Sequence, residues 1–319
     1  MRVKRREVLA LLGAAVAGAP GLAHAQQRVP RIGVLLVSGA ELMGPYREAL
    51  HQLGYVEGKT IEIDERSAQG NASRLPELAA EFVRGKVDII VASLTPAIAA
   101  VKSATSDIPI VMAPAGDPIA TGLVASLARP GGNITGVSGI AAELGAKSLE
   151  LIREFIPAAR RVGVVINAND PFSKPFLAQI QNGAKATRFE IYPVIVRDSA
   201  GLEGAYGELA RERVDAAIIQ GSLPIQPQVE LALKQRLPTL SNQTNVAHAG
   251  ALVSYGASIA ERGRQIASYV DRILKGAKPA DLPVQQPSTF EMTINLKTAK
   301  AIGLTLSPEL LARADQVIE

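Results

Sequence analysis

The sequence of 319 residues predicts an α/β protein in two blocks, each a parallel sheet flanked by helices. Two observations carry that reading. Short apolar runs alternate with longer amphipathic stretches along almost the whole chain, and the runs are hydrophobic throughout, as in strands buried on both faces. A breaker cluster, Arg129-Pro130-Gly131-Gly132-Asn133, then divides the alternation in two. Strand–helix alternation of this kind gives parallel sheets with right-handed crossovers.

At the start of the chain, Lys4-Arg5-Arg6 precede an apolar run over 8–19, then Pro20-Gly21 and the small-x-small triplet Ala23-His24-Ala25. A charged start, a short hydrophobic core and a small-residue site make a secretory signal over residues 1–25, cleaved after Ala25. The paired arginines also resemble a twin-arginine export signal. The run is too short to span a bilayer as an ordinary helix. Strands are expected over 32–37, 87–92 and 108–113, with helices over 41–53, 74–85 and 96–104. Pro76 falls in a first helical turn, where its missing N–H costs little, and Thr95 is read as the N-cap of the helix that Pro96 continues. In the second block, strands are expected over 162–166, 191–196, 214–219 and 251–254, with helices over 143–155, 173–187, 202–213 and 226–236. A long helix over 258–275 is stopped by Gly276, an extended stretch covers 289–295, and a short helix comes after Pro308.

A chain that returns to earlier territory at its end implies two lobes joined by several crossings. Lobe 1 is expected to hold residues 26–138 plus about 256–282, and lobe 2 about 139–255 plus about 283–319. Breaker-rich crossings near 136–139, 254–258 and 282–286 are the expected hinges.

Composition narrows the function. Loss of residues 1–25 removes Arg2, Lys4, Arg5 and Arg6 against one acid, Glu7, so the rest of the chain is near neutral despite 34 bases and 30 acids overall. No electrostatic footprint for nucleic acid remains. There is no cysteine, hence no disulfide, thiolate metal site or lipid-modified cysteine. Of three histidines, His24 lies in the signal, and His51 and His248 are far apart and read as surface residues. No metal and no cofactor are expected. Gly58-Lys59-Thr60 mimics the end of a phosphate-binding loop, but Leu53 stands where that loop needs glycine, so it reads as a turn.

In open parallel sheets, ligands bind beyond the carboxyl ends of the strands. Each run here ends in small or polar residues: Ser38-Gly39, Ser93-Leu94-Thr95, Gly116-Asp117, Asn167-Ala168-Asn169-Asp170, Gly221-Ser222 and Ser241-Asn242. The candidate ligand-binding residues are Ser38, Ser93, Thr95, Asp117, Ser138, Asn169, Ser222 and Asn242. Helix starts after Ser38 and Thr95 would aim backbone N–H groups at an anionic part of a ligand. Asp117 has three open readings, a cap of the helix or turn at Pro118, a solvated loop acid, or a partner for a cationic or amide group of the ligand. Tyr46, Phe172 and Phe176 are candidates for an apolar wall, with core packing the alternative. With no histidine nearby, these positions assemble no nucleophile and base.

Segments 53–58 (LGYVEG), 116–118 (GDP), 127–138 (LARPGGNITGVS), 274–287 (LKGAKPADLPVQQP) and 294–304 (INLKTAKAIGL) resemble the bacterial ABC-transporter substrate-binding proteins that include tryptophan-type binding proteins. The resemblance runs in order through the chain beyond the signal. It implies a type I periplasmic-binding-protein fold, two Rossmann-like lobes around a cleft, and a neutral or amino-acid-like ligand. Where relatives carry Asn-Pro-Asn, this chain has Asn167-Ala168-Asn169. The expected protein is a monomeric periplasmic solute receptor, not an enzyme, that closes on a small ligand and hands it to an ABC permease in the inner membrane. Alternatives are a periplasmic serine hydrolase or a ligand sensor for a membrane signalling protein.

Overall fold

A computed structural model describes residues 28–319. The export-signal expectation falls outside the described residues. The chain runs β1 (Arg31–Leu36), α1 (Met43–Gln52), β2 (Glu62–Ser67), α2 (Leu75–Arg84), β3 (Ile89–Ala92), α3 (Leu94–Ala104), β4 (Ile110–Ala115) and β5 (Ile134–Ser138). Then come α4 (Ala141–Phe155), β6 (Arg161–Asn167), α5 (Ser173–Thr187), β7 (Glu190–Val196), α6 (Leu202–Arg211), β8 (Ala216–Ile219), α7 (Ile225–Lys234), β9 (Thr239–Ser241) and β10 (Val253–Ala257). The last part is α8 (Ile259–Leu274), β11 (Phe290–Asn295), α9 (Leu296–Ile302), α10 (Pro308–Ala312) and β12 (Gln316–Ile318).

Two sheets result, a five-stranded one in the order β2-β1-β3-β4-β5 and a seven-stranded one in the order β12-β11-β10-β9-β8-β6-β7. Each carries cores on both faces. In the first lobe, α2 and α3 cover one face with Leu75, Phe82 and Ile98, while α1 and α8 cover the other with Tyr46, Leu50 and Ile266. In the second, α4 and α5 cover one face with Ile152, Phe176 and Ile180, and α6 and α7 the other with Tyr206, Leu209 and Val229. Each fully buried Leu or Ile contributes about 1.5–3 kcal/mol of transfer free energy, which is what ties the helices to the sheets.

The apolar runs all become strands, and the departures have physical reasons. β2 is a polar edge strand, half-exposed along its length, whose Arg66 pairs with Asp64 and Glu81. Charge blunts such an edge and hides it from a hydrophobicity pattern. β9 and β12 are three residues each, below the length at which a period is readable. β11 pairs antiparallel with β10, so the second sheet is mixed where a parallel one was expected. β11 and the edge strand β12 run together in that opposite sense, and reversed strands at the edge of an otherwise parallel sheet are common. α9 is a further element beyond those expected; Asn295 caps it by accepting from the Thr298 N–H at 3.0 Å.

The chain crosses between the sheets three times. Between β5 and α4, the Gly139 N–H donates to the Ala115 carbonyl at 2.6 Å and the Ser138 N–H to the Gln285 carbonyl at 2.8 Å. Between β10 and α8, the Ser258 N–H donates to the Thr289 carbonyl at 3.0 Å. The third crossing leaves the first lobe after Val284, which is buried in its core, and enters β11. The crossings are thus bonded to one another and gather beside the space between the lobes.

Candidate functional site

The carboxyl ends of β3, β4, β6, β8 and β9 converge on a cavity of about 80 Å³ between the lobes. The first lobe supplies Leu94 and Thr95 from the β3–α3 turn, Ala115 and Gly116 from the end of β4, and Arg262 from α8. The second supplies Asp170, Phe172 and Phe176 around the start of α5, Gln220 to Ser222 after β8, and Asn242 and Gln243 after β9. Leu94 stands at φ +68, a left-handed backbone that a leucine adopts only under tertiary constraint.

The lobes touch directly across this space. The Phe172 ring covers Gly116 so closely that a Cβ there would lie 2.3 Å from its Cγ, and a Cβ on Gly70 would lie 2.6 Å from Pro224 Cγ. Phe172 packs on Phe176 with ring centroids 5.7 Å apart, giving one aromatic wall.

Asp170 belongs to a buried network. Its carboxylate accepts from the Phe172 N–H at 2.9 Å and from Gln220 Nε2 at 2.8 Å. Gln220 Oε1 in turn accepts from the Asn167 N–H at 2.8 Å and Ser173 Oγ at 3.1 Å, which fixes the amide's orientation. Burial pushes the Asp170 carboxyl above its ordinary value, and hydrogen bonds from Ser222, Phe172 and Gln220 oppose the shift. No ion pair among the described residues includes it.

Arg262 is the opposite charge on the opposite lobe. It lines both this cavity and an adjoining recess of about 60 Å³ that holds Ser38, Ser93 and Asn245. Its Nε is buried without a hydrogen-bond partner. Burial draws its pKa down to about 10, with Glu291 pulling the other way. The ion pairs among the described residues do not include it.

The candidates from sequence divide. Thr95, Ser222 and Asn242 line the main cavity, and Ser38 and Ser93 the recess beside it. Thr95 is not the cap expected of it: the N-cap of α3 is Ser93, and Thr95 Oγ1 accepts from the Gly116 N–H at 3.0 Å, holding β3 and β4 in step at the cavity wall. Ser38 caps nothing, since α1 begins at Met43 with Leu42 as its N-cap. Asp117 takes the turn reading, with Oδ1 accepting from the Ala120 N–H at 2.9 Å. It lines neither space. Ser138 is buried at the first crossing, its Oγ donating to the Gly139 carbonyl at 3.0 Å. Asn169 is exposed and donates from Nδ2 to the Arg197 carbonyl at 2.9 Å. Of the aromatic candidates, Phe172 and Phe176 reach the cavity and Tyr46 is in the core beneath α8.

Asp170, Gln220, Gln243 and Arg262 lie outside the candidate set that the sequence supplies. Asp170 shares the loop after β6 with the candidate Asn169, and nothing linear distinguishes the two. Arg262 follows no strand, so the strand-end rule never reaches it. One signal does exist, because Arg262 stands one helical turn before Ile266, on the face that α8 buries.

Comparison with known proteins adds four findings. The profile of the family described as ABC transporter substrate binding protein matches residues 38–318. A tyrosine-binding protein of Clostridioides difficile (strain R20291) is 31% identical over 263 residues, covering 81% of this chain and 75% of the relative. A Streptococcus pneumoniae ABC domain solved with L-Trp superposes with a TM-score of 0.82 at 27% identity, over 91% of this chain and 99% of the other. A conserved domain protein of Vibrio cholerae superposes at 0.84 with 29% identity, over 91% and 100%.

Proposed function

The chain belongs to the family of ABC transporter substrate-binding proteins and has the type I periplasmic-binding-protein fold, and from that premise we propose that it captures a free amino acid with an aromatic side chain and delivers it to a membrane permease. The observation that carries the ligand class is the lining of the cavity, not its volume, since about 80 Å³ is less than such a ligand fills and the lobes must part to admit it. One wall is aromatic, from Phe172 and Phe176, and the other is polar, from Thr95, Ser222, Asn242 and Gln243. That division suits a ligand with a flat apolar part and a hydrogen-bonding end. The relatives that bind tyrosine and tryptophan support the same class. The work is binding without chemistry: contacts from both lobes exist together only when the lobes close, so a ligand that uses both shifts the protein toward the closed state.

Thermal denaturation of the purified protein with each amino acid tests the ligand class. Tyrosine, tryptophan or phenylalanine at about 100 times its Kd should stabilise the protein by about 2.7 kcal/mol. Failure of every aromatic amino acid to shift the transition overturns it. We place the protein outside the inner membrane on the charged start, apolar run and Ala-x-Ala order of residues 1–25. An osmotic-shock fraction carrying Gln26 as the N-terminus is the expected result, and an intact Met1 overturns it.

A further inference from the structure

Two opposite charges face one cavity from different lobes and do not pair with each other. Arg262 is held at several points. Ser258 caps α8 by accepting from the Glu261 N–H, the Arg262 N–H donates to the Ser258 carbonyl at 3.0 Å, and Gly263 lies against the backbone of Pro45. The Glu261 carboxylate accepts from the Ser288 and Thr289 N–H groups, at 3.2 and 2.8 Å, and ties the same turn to the third crossing. A side chain whose backbone is so firmly fixed still has a buried, unpartnered Nε. Burying part of a charge is costly; Glu291 favours it without forming an ion pair, and the Nε–H is left for an acceptor from outside the protein's own contacts.

Asp170 is the complement. Its carboxylate, which offers about four acceptor sites, takes hydrogen bonds from the Phe172 N–H and Gln220 Nε2 and lines the cavity. Acceptor capacity is left for a donor entering the cavity. A guanidinium presents a planar fork that matches a carboxylate in a bidentate pair, and a carboxylate with acceptor capacity left matches an ammonium.

We propose that Arg262 binds the α-carboxylate of the ligand and Asp170 its α-ammonium, so that the site selects the intact zwitterion over amines and acids of the same shape. The assignment rests on the amino-acid reading above and deepens it. Because the two anchors belong to different lobes, the zwitterion itself bridges them, and neither charge gains an ionic partner until the cleft closes.

Calorimetric titration of the purified protein, and of its Arg262→Gln and Asp170→Asn variants, tests this with three probes. They are L-tyrosine, tyramine, which lacks the carboxylate, and 3-(4-hydroxyphenyl)propionate, which lacks the ammonium. Arg262→Gln should lose about 10- to 150-fold in affinity for L-tyrosine and the propionate and nothing for tyramine. Asp170→Asn should lose a similar factor for L-tyrosine and tyramine and nothing for the propionate. Arg262→Lys, which keeps the charge without the fork, should recover only part of the loss and guards against a variant that fails to fold. A parent that binds tyramine or the propionate as tightly as L-tyrosine, or either variant binding L-tyrosine within about threefold of the parent, overturns the assignment and leaves the amino-acid reading standing. A parent that binds the propionate through Arg262 but not L-tyrosine, tryptophan or phenylalanine overturns the amino-acid reading and the role of Asp170 instead. A parent that binds none of these overturns both.

Discussion

Asp117 and Asp170 are both acids placed just after a strand, and their neighbours separate them. Asp117 is half-exposed, and its Oδ1 closes a turn onto the Ala120 N–H. Asp170 is buried, faces the cavity and retains an acceptor site. Replacing Asp117 by Ala should therefore lower the stability of the protein by about 1 kcal/mol, the net value of one such hydrogen bond, and leave ligand affinity unchanged. Denaturant titration alongside ligand titration checks both halves, and a fall in affinity with unchanged stability would return Asp117 to the site.

At the scale of elements, α8 does two jobs, covering the first lobe and presenting Arg262. Both depend on its first turn. Partial burial raises the Glu261 pKa, but hydrogen bonds from Ser288 and Thr289 outweigh it and leave the carboxyl below its ordinary value. A depressed carboxyl stabilises the fold above the unfolded value, about 4.3 for Glu, and that contribution is lost as pH falls through the lower folded value. Glu261→Gln should melt lower than the parent at pH 7, and the gap should close as pH falls below about 4. A gap that stays constant with pH would show that the carboxylate's charge has no part in the brace. The same helix packs on α1 with no room to spare, since a Cβ at Gly263 would meet the Pro45 carbonyl carbon at 2.8 Å. Gly263→Ala should then cost about 1–3 kcal/mol by overpacking, read as a lowered denaturation midpoint. A midpoint equal to the parent's would mean that the helices slide apart freely.

At the scale of the molecule, the closed arrangement depends on glycine at the contact between lobes. Gly116 lies under the Phe172 ring, and that contact exists only while the lobes are together. Gly116→Ala should hold the cleft partly open, weakening affinity about tenfold or more for each 1.4 kcal/mol of closure lost, without lowering the melting temperature in the absence of ligand. Small-angle scattering should show the parent contracting with saturating ligand and the variant contracting less. Equal contraction and equal affinity would mean that the ring swings aside and that the contact does not limit closure.

Much of this is legible in the sequence, because it depends on patterns that are local. Continuous apolar runs such as 162–166 suit strands buried on both faces, and the breakers at 129–133 fall one strand short of the division between the blocks, since β5 still pairs with β4 in the first sheet. The rule that ligands sit beyond strand ends locates Thr95, Ser222 and Asn242 beside the cavity without any knowledge of the third dimension. Only the tertiary structure decided which polar residues face inward. Asn169 and Asp170 are neighbours in one loop, yet one is exposed and bonded to the Arg197 carbonyl while the other is buried against Gln220, a residue from a different strand. Arg262 is out of reach for the same reason. Its approach to the cavity depends on a helix that leaves the second sheet, packs on the first, and arrives beside residues more than a hundred positions earlier in the chain. Burial and partnership are properties of what folds around a side chain, and a linear pattern does not contain them.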